Sequence, residues 1–239
     1  MFEYIKKHYK EDEPIFISDL CEFNPNMNIV RKTVKKLTTA GTLKRFDTGI
    51  YYLPSAADAE LDILKVVERK YLSNNEGVCG YFFGGNLAKN LKQGYKFPAG
   101  YDHNAFDVVS NKATTEYREV KIGGHTVILR QPRVEINDEN HKVLQFLDFI
   151  KDLEIQQYRE VKKDETVMLD EITTDFKVDR DLQCRRIARY MIRENITLEM
   201  INKYLEYYHS KVAKNLYLLG FLQVSNQKEF EAKYQPKKQ

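Results

Sequence analysis

Residues 28–53 read NIVRKTVKKLTTAGTLKRFDTGIYYL. Val30, Val34 and Leu37 recur at i, i+4 and i+7, the spacing that lines one face of an α-helix. On a helical wheel Asn28, Lys32, Lys35, Lys36 and Thr39 fall on the opposite face, with Arg31 on its flank. The pattern predicts a helix from about Asn28 to Ala40. Gly41 stands where a left-handed C-terminal cap is wanted, a conformation that glycine adopts without a Cβ penalty. Leu43–Phe46 and Ile50–Leu53 then read as two strands around Asp47-Thr48-Gly49, a three-residue hairpin turn with glycine at the positive-φ position. Pro54 closes the stretch.

The residues upstream complete a motif. Phe2, Ile5 and Tyr9 share a face of a short helix over residues 1–10, which ends at Glu11-Asp12-Glu13-Pro14. Ile15-Phe16-Ile17 reads as a short strand. Ser18 is placed to cap a second helix from Asp19 to about Phe23, and Asn24-Pro25-Asn26 forms the turn before the third. Helix, strand, helix, turn, helix and hairpin within 54 residues is the order of a winged helix-turn-helix.

Charge agrees with that reading. Residues 28–53 carry six basic side chains and one acid, Asp47, whereas the whole chain is only +3, so the remainder is net negative. A lysine-rich face is often no more than a solvated surface. Here the complete element order, the concentration of charge and the presence of Asn and Thr, which can read base edges, together favour a DNA-binding face. The expected contacts with double-stranded DNA are Asn28, Arg31, Lys32, Lys35, Lys36 and Thr39 on the third helix, and Lys44 and Arg45 on the wing.

EPIFISDL (residues 13–20) followed by VRKTVKKLTTAGTLKRFDTGIYYLP (residues 30–54) resembles the N-terminal domain of the AbiEi antitoxins of bacterial type IV toxin–antitoxin systems. Glu13 departs from that pattern where a glycine is common. Thr48 departs where a basic residue precedes the turn glycine, which removes one wing contact with phosphate. Gly77-Val78-Cys79-Gly80-Tyr81, Asn86–Leu91 and NHKVLQFLDF (residues 140–149) resemble the family's second domain, so the likeness covers roughly residues 1–153. It implies binding to repeats in the protein's own operon promoter, autorepression, and an activity that counteracts a nucleotidyltransferase-like toxin without a stable complex. No spacing of residues shows the antitoxin activity itself.

The fold class expected is α+β: a winged helix-turn-helix over residues 1–54, then a mixed α/β domain over residues 55–239 with a helical C-terminal third. Ser55 and Asp58 resemble a capping box for a connecting helix from about Ala56 to Leu72. Val78–Phe83, Phe106–Val109, Tyr117–Ile122 and Thr126–Arg130 read as strands, the last two joined by Gly123-Gly124, and Asn86–Leu91 as a helix. Asp138 is placed to cap a helix over Glu139–Leu153. Asp164–Phe176 is a weaker helix. Asp181–Arg193 buries Ile187, Tyr190 and Met191 and presents Arg185, Arg189 and Arg193, with Arg186 and Arg180 near them. This stripe is a solvated face or a dock for phosphate or an acidic partner. Thr197 caps a long helix to about Leu219. Its near-heptad spacing, with polar Asn215 in the seam, favours a bundle helix, a dimer seam being the alternative. The tail from Lys233 onward is expected to fray.

Other chemistry is sparse. The three cysteines (21, 79, 184) are far apart and read as small core residues, and the five histidines form no ligand spacing. Gly77-x-x-Gly80 and Gly84-Gly85 match no phosphate-binding loop. Asp107 with Glu119 and Lys121 resembles the D…ExK set of metal-dependent nucleases, a rival reading in which two carboxylates hold Mg²⁺; ExK also arises by chance in a chain this charged. A winged module that binds protein is the third reading. No cofactor or metal is expected. No apolar run reaches the length of a membrane span, and MFEYIKKHYK lacks a signal-peptide core, so the expected location is the cytoplasm.

Overall fold

The computed structural model describes residues 1–91, 102, 104–153, 155, 182–208 and 210–235. The fold is α+β, in two compact units: Met1–Gly80 with His103–Gln131, and Tyr81–Asp102 with Pro132–Gln239. The helix expected over Asp164–Phe176, Arg180 and Asp181 lie outside the described residues.

In the first unit, α1 (Phe2–His8) precedes β1 (Ile15–Phe16), a 3₁₀ turn (Asp19–Cys21), α2 (Met27–Thr39) and the hairpin β2 (Lys44–Asp47) and β3 (Ile50–Tyr52). β3 is central in an antiparallel sheet of order β1-β3-β2, with Ile15 opposite Tyr51 and Arg45 opposite Tyr51 from the other side. A core of Ile5, Tyr9, Ile15, Leu20, Val30, Val34, Leu43 and Leu53 lies beneath these elements. Each of those residues is the inward member of its local period, so helical and strand spacings converge on one apolar volume. The hairpin turn is tighter than expected. Asp47 already pairs with Ile50, a bulge at Phe46 absorbs the extra residue, and Gly49 has φ +75°.

Three expectations are corrected here. The second helix is only the 3₁₀ turn, and Ser18 does not cap it: its own backbone is helical and its hydroxyl donates to Asp19 Oδ1 at 3.3 Å. The connecting helix does not begin at Ala56. It is α3 (Ile63–Val67), capped by Asp62 and continuing as a wide π turn over Glu68–Leu72. Carbonyls that a helix from Ala56 would have used internally are taken by side chains. Lys44 Nζ donates to Ala57 O at 2.5 Å and Ala59 O at 3.0 Å, and Tyr52 OH donates to Ala59 O at 2.8 Å.

A short ladder, β4 (Ser73–Asn74) and β5 (Gly77–Val78), follows. The chain then leaves the first unit along β6 (Gly80–Phe82) and returns for β7 (Phe106–Ser110), β8 (Tyr117–Ile122) and β9 (His125–Arg130). β9 lies between β7, its parallel partner, and β8, its antiparallel partner. Gly123 (φ +54°) and Gly124 (φ +82°) make the two-residue turn, as a hairpin with both central residues left-handed requires.

The second unit is helical. α4 (Gly84–Leu91) packs on α5 (His141–Asp152), and α7 (Leu198–Leu205) and α8 (Ser210–Leu218) pack on α5 as well. α5 buries Val143, Leu144, Phe146, Leu147, Phe149 and Ile150, nearly its whole circumference, as the central helix of a bundle must. α6, over residues 182–193, buries Ile187, Tyr190 and Met191 as expected. Asp138 is not the cap of α5. Asn137 Oδ1 instead accepts the N–H groups of Glu139 and Asn140, at 3.0 and 3.1 Å.

The expected long C-terminal helix is interrupted after Leu205, and α8 begins at Ser210. Tyr208 turns inward there and donates to Leu144 O at 3.1 Å. Thr197 does cap α7, accepting from Met200 N–H. A further helix, α9 (Gln227–Tyr234), stands where none was expected, and it contains Lys233 and the buried Tyr234. Its Phe230 and Tyr234 close on Phe221, with ring centroids 5.3 Å (Phe230) and 5.8 Å (Tyr234) from it. Among the described residues no helix is long and apolar enough to cross a membrane.

Candidate nucleic-acid interface

α2 is held at both ends. Asn26 Oδ1 accepts from Asn28 N–H at 3.1 Å and from Ile29 N–H at 3.4 Å, a side-chain N-cap. At the other end Gly41 (φ +74°) donates to Thr38 O and Thr42 donates to Leu37 O, the paired bonds of a Schellman stop. Val30 and Val34 are buried beneath it. The helix is therefore a fixed rod whose outer face is set by its inner one.

Asn28, Arg31, Lys32, Lys35, Lys36 and Thr39 are all exposed on that outer face. The first turn contains no acidic residue, so the partial positive charge of the helix N-terminus is uncompensated. Thr39 donates its hydroxyl to Lys35 O, leaving its oxygen lone pairs outward. Ile29, Lys32, Thr33, Lys35, Lys36, Thr39 and Ala40 line a shallow depression of about 690 Å³.

The two hairpin cations are placed differently from those of the helix. Lys44 has three ammonium donors and uses two on Ala57 O and Ala59 O. Arg45 is exposed, but its Nε donates to Asp47 O and its Nη2 to Thr48 Oγ1, so it braces the turn. The hairpin tip is anchored inside the same unit. Asp47 Oδ2 accepts from Gly123 N–H at 2.8 Å and Oδ1 from Thr48 N–H at 2.6 Å, and these bonds hold its carboxyl below the usual range. The Phe46 ring covers Gly123 so closely that a Cβ there would meet it at 2.4 Å.

The D…ExK carboxylates lie at one level of the sheet, Asp107 and Glu119 both opposite Ile128, but each residue of the set is engaged elsewhere. Asp107 is on β7 and Glu119 on β8, with β9 between them. Both Asp107 oxygens are held by Arg130, at 2.7 and 2.9 Å. Burial raises the Asp107 carboxyl while Arg130 opposes the shift. Glu119 accepts from Tyr117 OH, and Lys121 donates to Thr126 Oγ1. Among the described residues no group of three or more His, Cys, Asp or Glu side chains could hold a metal ion.

On α6, Arg185, Arg186, Arg189 and Arg193 are exposed. Arg193 is paired with Glu194 at 3.0 Å, and Glu194 also accepts from Lys142 at 2.9 Å. Within the first unit a cleft of about 820 Å³ is lined by Tyr4, His8, Tyr9, Asp19, Arg69 and Lys112, among others. Its charges are largely satisfied internally: Arg69 pairs with Asp19 at 3.2 Å, and Lys112 donates to Lys70 O and Ser73 O. Sequence reading missed both this cleft, whose walls come from distant segments, and Ile29, whose apolar side chain suggested no role on a polar face.

No family model, no curated protein and no solved structure matches this chain.

Proposed function

We propose that this protein is a winged helix-turn-helix DNA-binding autorepressor that acts in the cytoplasm, and that it is the antitoxin of a type IV toxin–antitoxin system. The observation that carries DNA binding is the exposed face of α2. Asn28, Arg31, Lys32, Lys35, Lys36 and Thr39 stand together on a helix capped at both ends. A rod of this width enters the major groove, with its N-terminal residues at base edges and its lysines and arginine on flanking phosphates. The hairpin follows within five residues and supplies Arg45 and the remaining donor of Lys44 to the backbone beside the groove. The antitoxin role rests on the resemblance of roughly residues 1–153 to the AbiEi pattern. It implies repeats in the operon promoter as the target and a nucleotidyltransferase-like toxin as the functional partner, without a stable complex. In this reading the protein is a regulator, not an enzyme.

Two experiments test it. Promoter DNA should be shifted at low salt and released steeply as salt rises, with Lys32→Ala and Lys35→Ala each weakening binding and flattening the salt slope by about one. Absence of any shift at low salt refutes the repressor reading. The reading requires a nucleotidyltransferase gene beside this one, and co-expression of the two should restore growth that the toxin alone arrests; absence of such a gene, or persistent toxicity, refutes the antitoxin reading.

A further inference from the structure

Ile29 is out of place on the outer face of α2. It is 47% exposed, whereas Val30 beside it is fully buried. An exposed β-branched residue contributes little to helix stability, and the inner face already supplies the core. Ile29 is nevertheless held firmly. Its N–H is capped by Asn26, its carbonyl accepts from Thr33 Oγ1 at 2.9 Å, and a β-branched side chain in a helix keeps essentially one χ1 rotamer. Its apolar surface is thus presented in a fixed direction from the first turn of the helix, the part of a recognition helix that reaches base edges.

The surroundings specify what it meets. The depression that Ile29 lines also holds Lys32, Lys35 and Lys36 and no acid, a lining that attracts a polyanion, most strongly one whose charges are as closely spaced as the phosphates of a duplex. In the major groove the one apolar group on any base edge is the C5-methyl of thymine. We infer that Ile29 is a specificity-determining residue that packs on a thymine methyl, so the operator carries an A·T pair at a defined place in each copy of the site. The inference rests on the DNA-binding reading above and adds a base preference to it.

The full chain is used to select duplexes from a random pool at low salt, and each thymine of the recovered site is replaced in turn by uracil, which lacks only the methyl. Wild-type affinity should fall about fourfold at one thymine of the bound site, the effect of one lost apolar carbon. Ile29→Ala should bind the thymine and uracil duplexes alike, and Ile29→Val should keep most of the discrimination. Because Ile29 is exposed, neither variant should lower the melting temperature. Uracil that is silent at every position, or the same loss in Ile29→Ala, overturns the inference while leaving DNA binding intact. If Ile29→Ala instead changes the sedimentation of the free protein and uracil is silent, the patch is a protein contact and the inference is overturned. Recovery of no duplex overturns the DNA-binding reading and this inference with it.

Discussion

Asp47 and Gly123 are joined by a hydrogen bond of 2.8 Å from the Gly123 N–H to the Asp47 carboxylate, across 76 positions of sequence. The bond fixes the tip of the hairpin behind α2 to the turn between β8 and β9. Asp47→Ala should therefore cost about 1–3 kcal/mol, as loss of a charge-assisted pair of bonds does. Gly123→Ala should cost at least as much, since its φ of +54° is strained for alanine and the new methyl meets the Phe46 ring. Because the folded carboxyl titrates below its unfolded value, its stabilisation is complete above the unfolded pKa. It is lost as pH falls through the folded one. Denaturant melts of wild type and Asp47→Ala should converge in acid; curves that coincide at neutral pH would show that the tether carries no stability, and a gap that persists in acid would show that the carboxylate charge does not carry it.

Lys44 of this hairpin and Lys32 of α2 should separate by assay. Lys44→Ala removes two bonds to backbone carbonyls and should lower stability by about 1–2 kcal/mol. Lys32→Ala removes an exposed cation and should leave the melting temperature unchanged while weakening DNA binding. Thermal melts and band shifts on both variants check the division, which fails if Lys44→Ala proves thermally silent.

Asp148 lies buried in the second unit, where Tyr81 OH donates to it at 2.8 Å. Burial pushes its carboxyl up to about 6, with the Tyr81 bond and the charge of Arg133 opposing. Between the unfolded value near 4 and this one, the folded state binds the extra proton. The contribution to stability is thus full below about pH 4 and is lost as pH rises through about 6. Asp148→Asn should be the more stable protein at pH 7, by about 1–3 kcal/mol, and lose that advantage by pH 4. Urea midpoints for the pair across this range measure the difference; an advantage that grows in acid would reverse the assignment.

Asn215 Nδ2 donates to Ile150 O at 2.7 Å and Leu153 O at 3.3 Å, and so satisfies carbonyls at the end of α5. Asn215→Leu should lose about 1–3 kcal/mol. If Asn215 were instead the polar residue of a dimer seam, the same change would raise the melting temperature and strengthen self-association, so calorimetry with sedimentation distinguishes the two roles.

Arg130 holds both oxygens of Asp107, and the carboxylate is buried. Arg130→Ala should cost about 3–5 kcal/mol by leaving that charge unpaired, with part of the loss recovered in Asp107→Asn/Arg130→Ala. A double-mutant cycle by chemical denaturation checks it; strictly additive losses would mean that the two groups are energetically independent.

Features settled by neighbouring residues were legible in advance. Gly41, Gly49 and the Gly123-Gly124 pair each mark a left-handed backbone, and the apolar residues of α2 and α5 occur at the period that each helix buries. What escaped the sequence depends on partners far along the chain. The helix expected from Ala56 is absent because Lys44 and Tyr52 take its carbonyls. The expected long helix breaks because Tyr208 reaches Leu144, although its apolar spacing runs on across the break. α9 carried a readable sign that went unread. Asn226 caps the helix by accepting from Glu229 N–H, and the Glu229 carboxylate reaches back to Ser225 N–H, one residue before the cap, a variant of the capping box. Of the candidate site, charge and periodicity located the α2 face. The engagement of Lys44 and Arg45 depends on where the chain folds back, and spacing contains no record of that.

The Phe46 ring lying on Gly123 bears on how this architecture could be rearranged by recombination. Transplanting residues 1–54 onto another protein would carry the α2 face intact but strip the ring of its cover and leave Asp47 facing solvent. An exchange that travels with residues 103–131 keeps the hairpin seated, so the smallest piece that can be inherited intact is discontinuous in sequence.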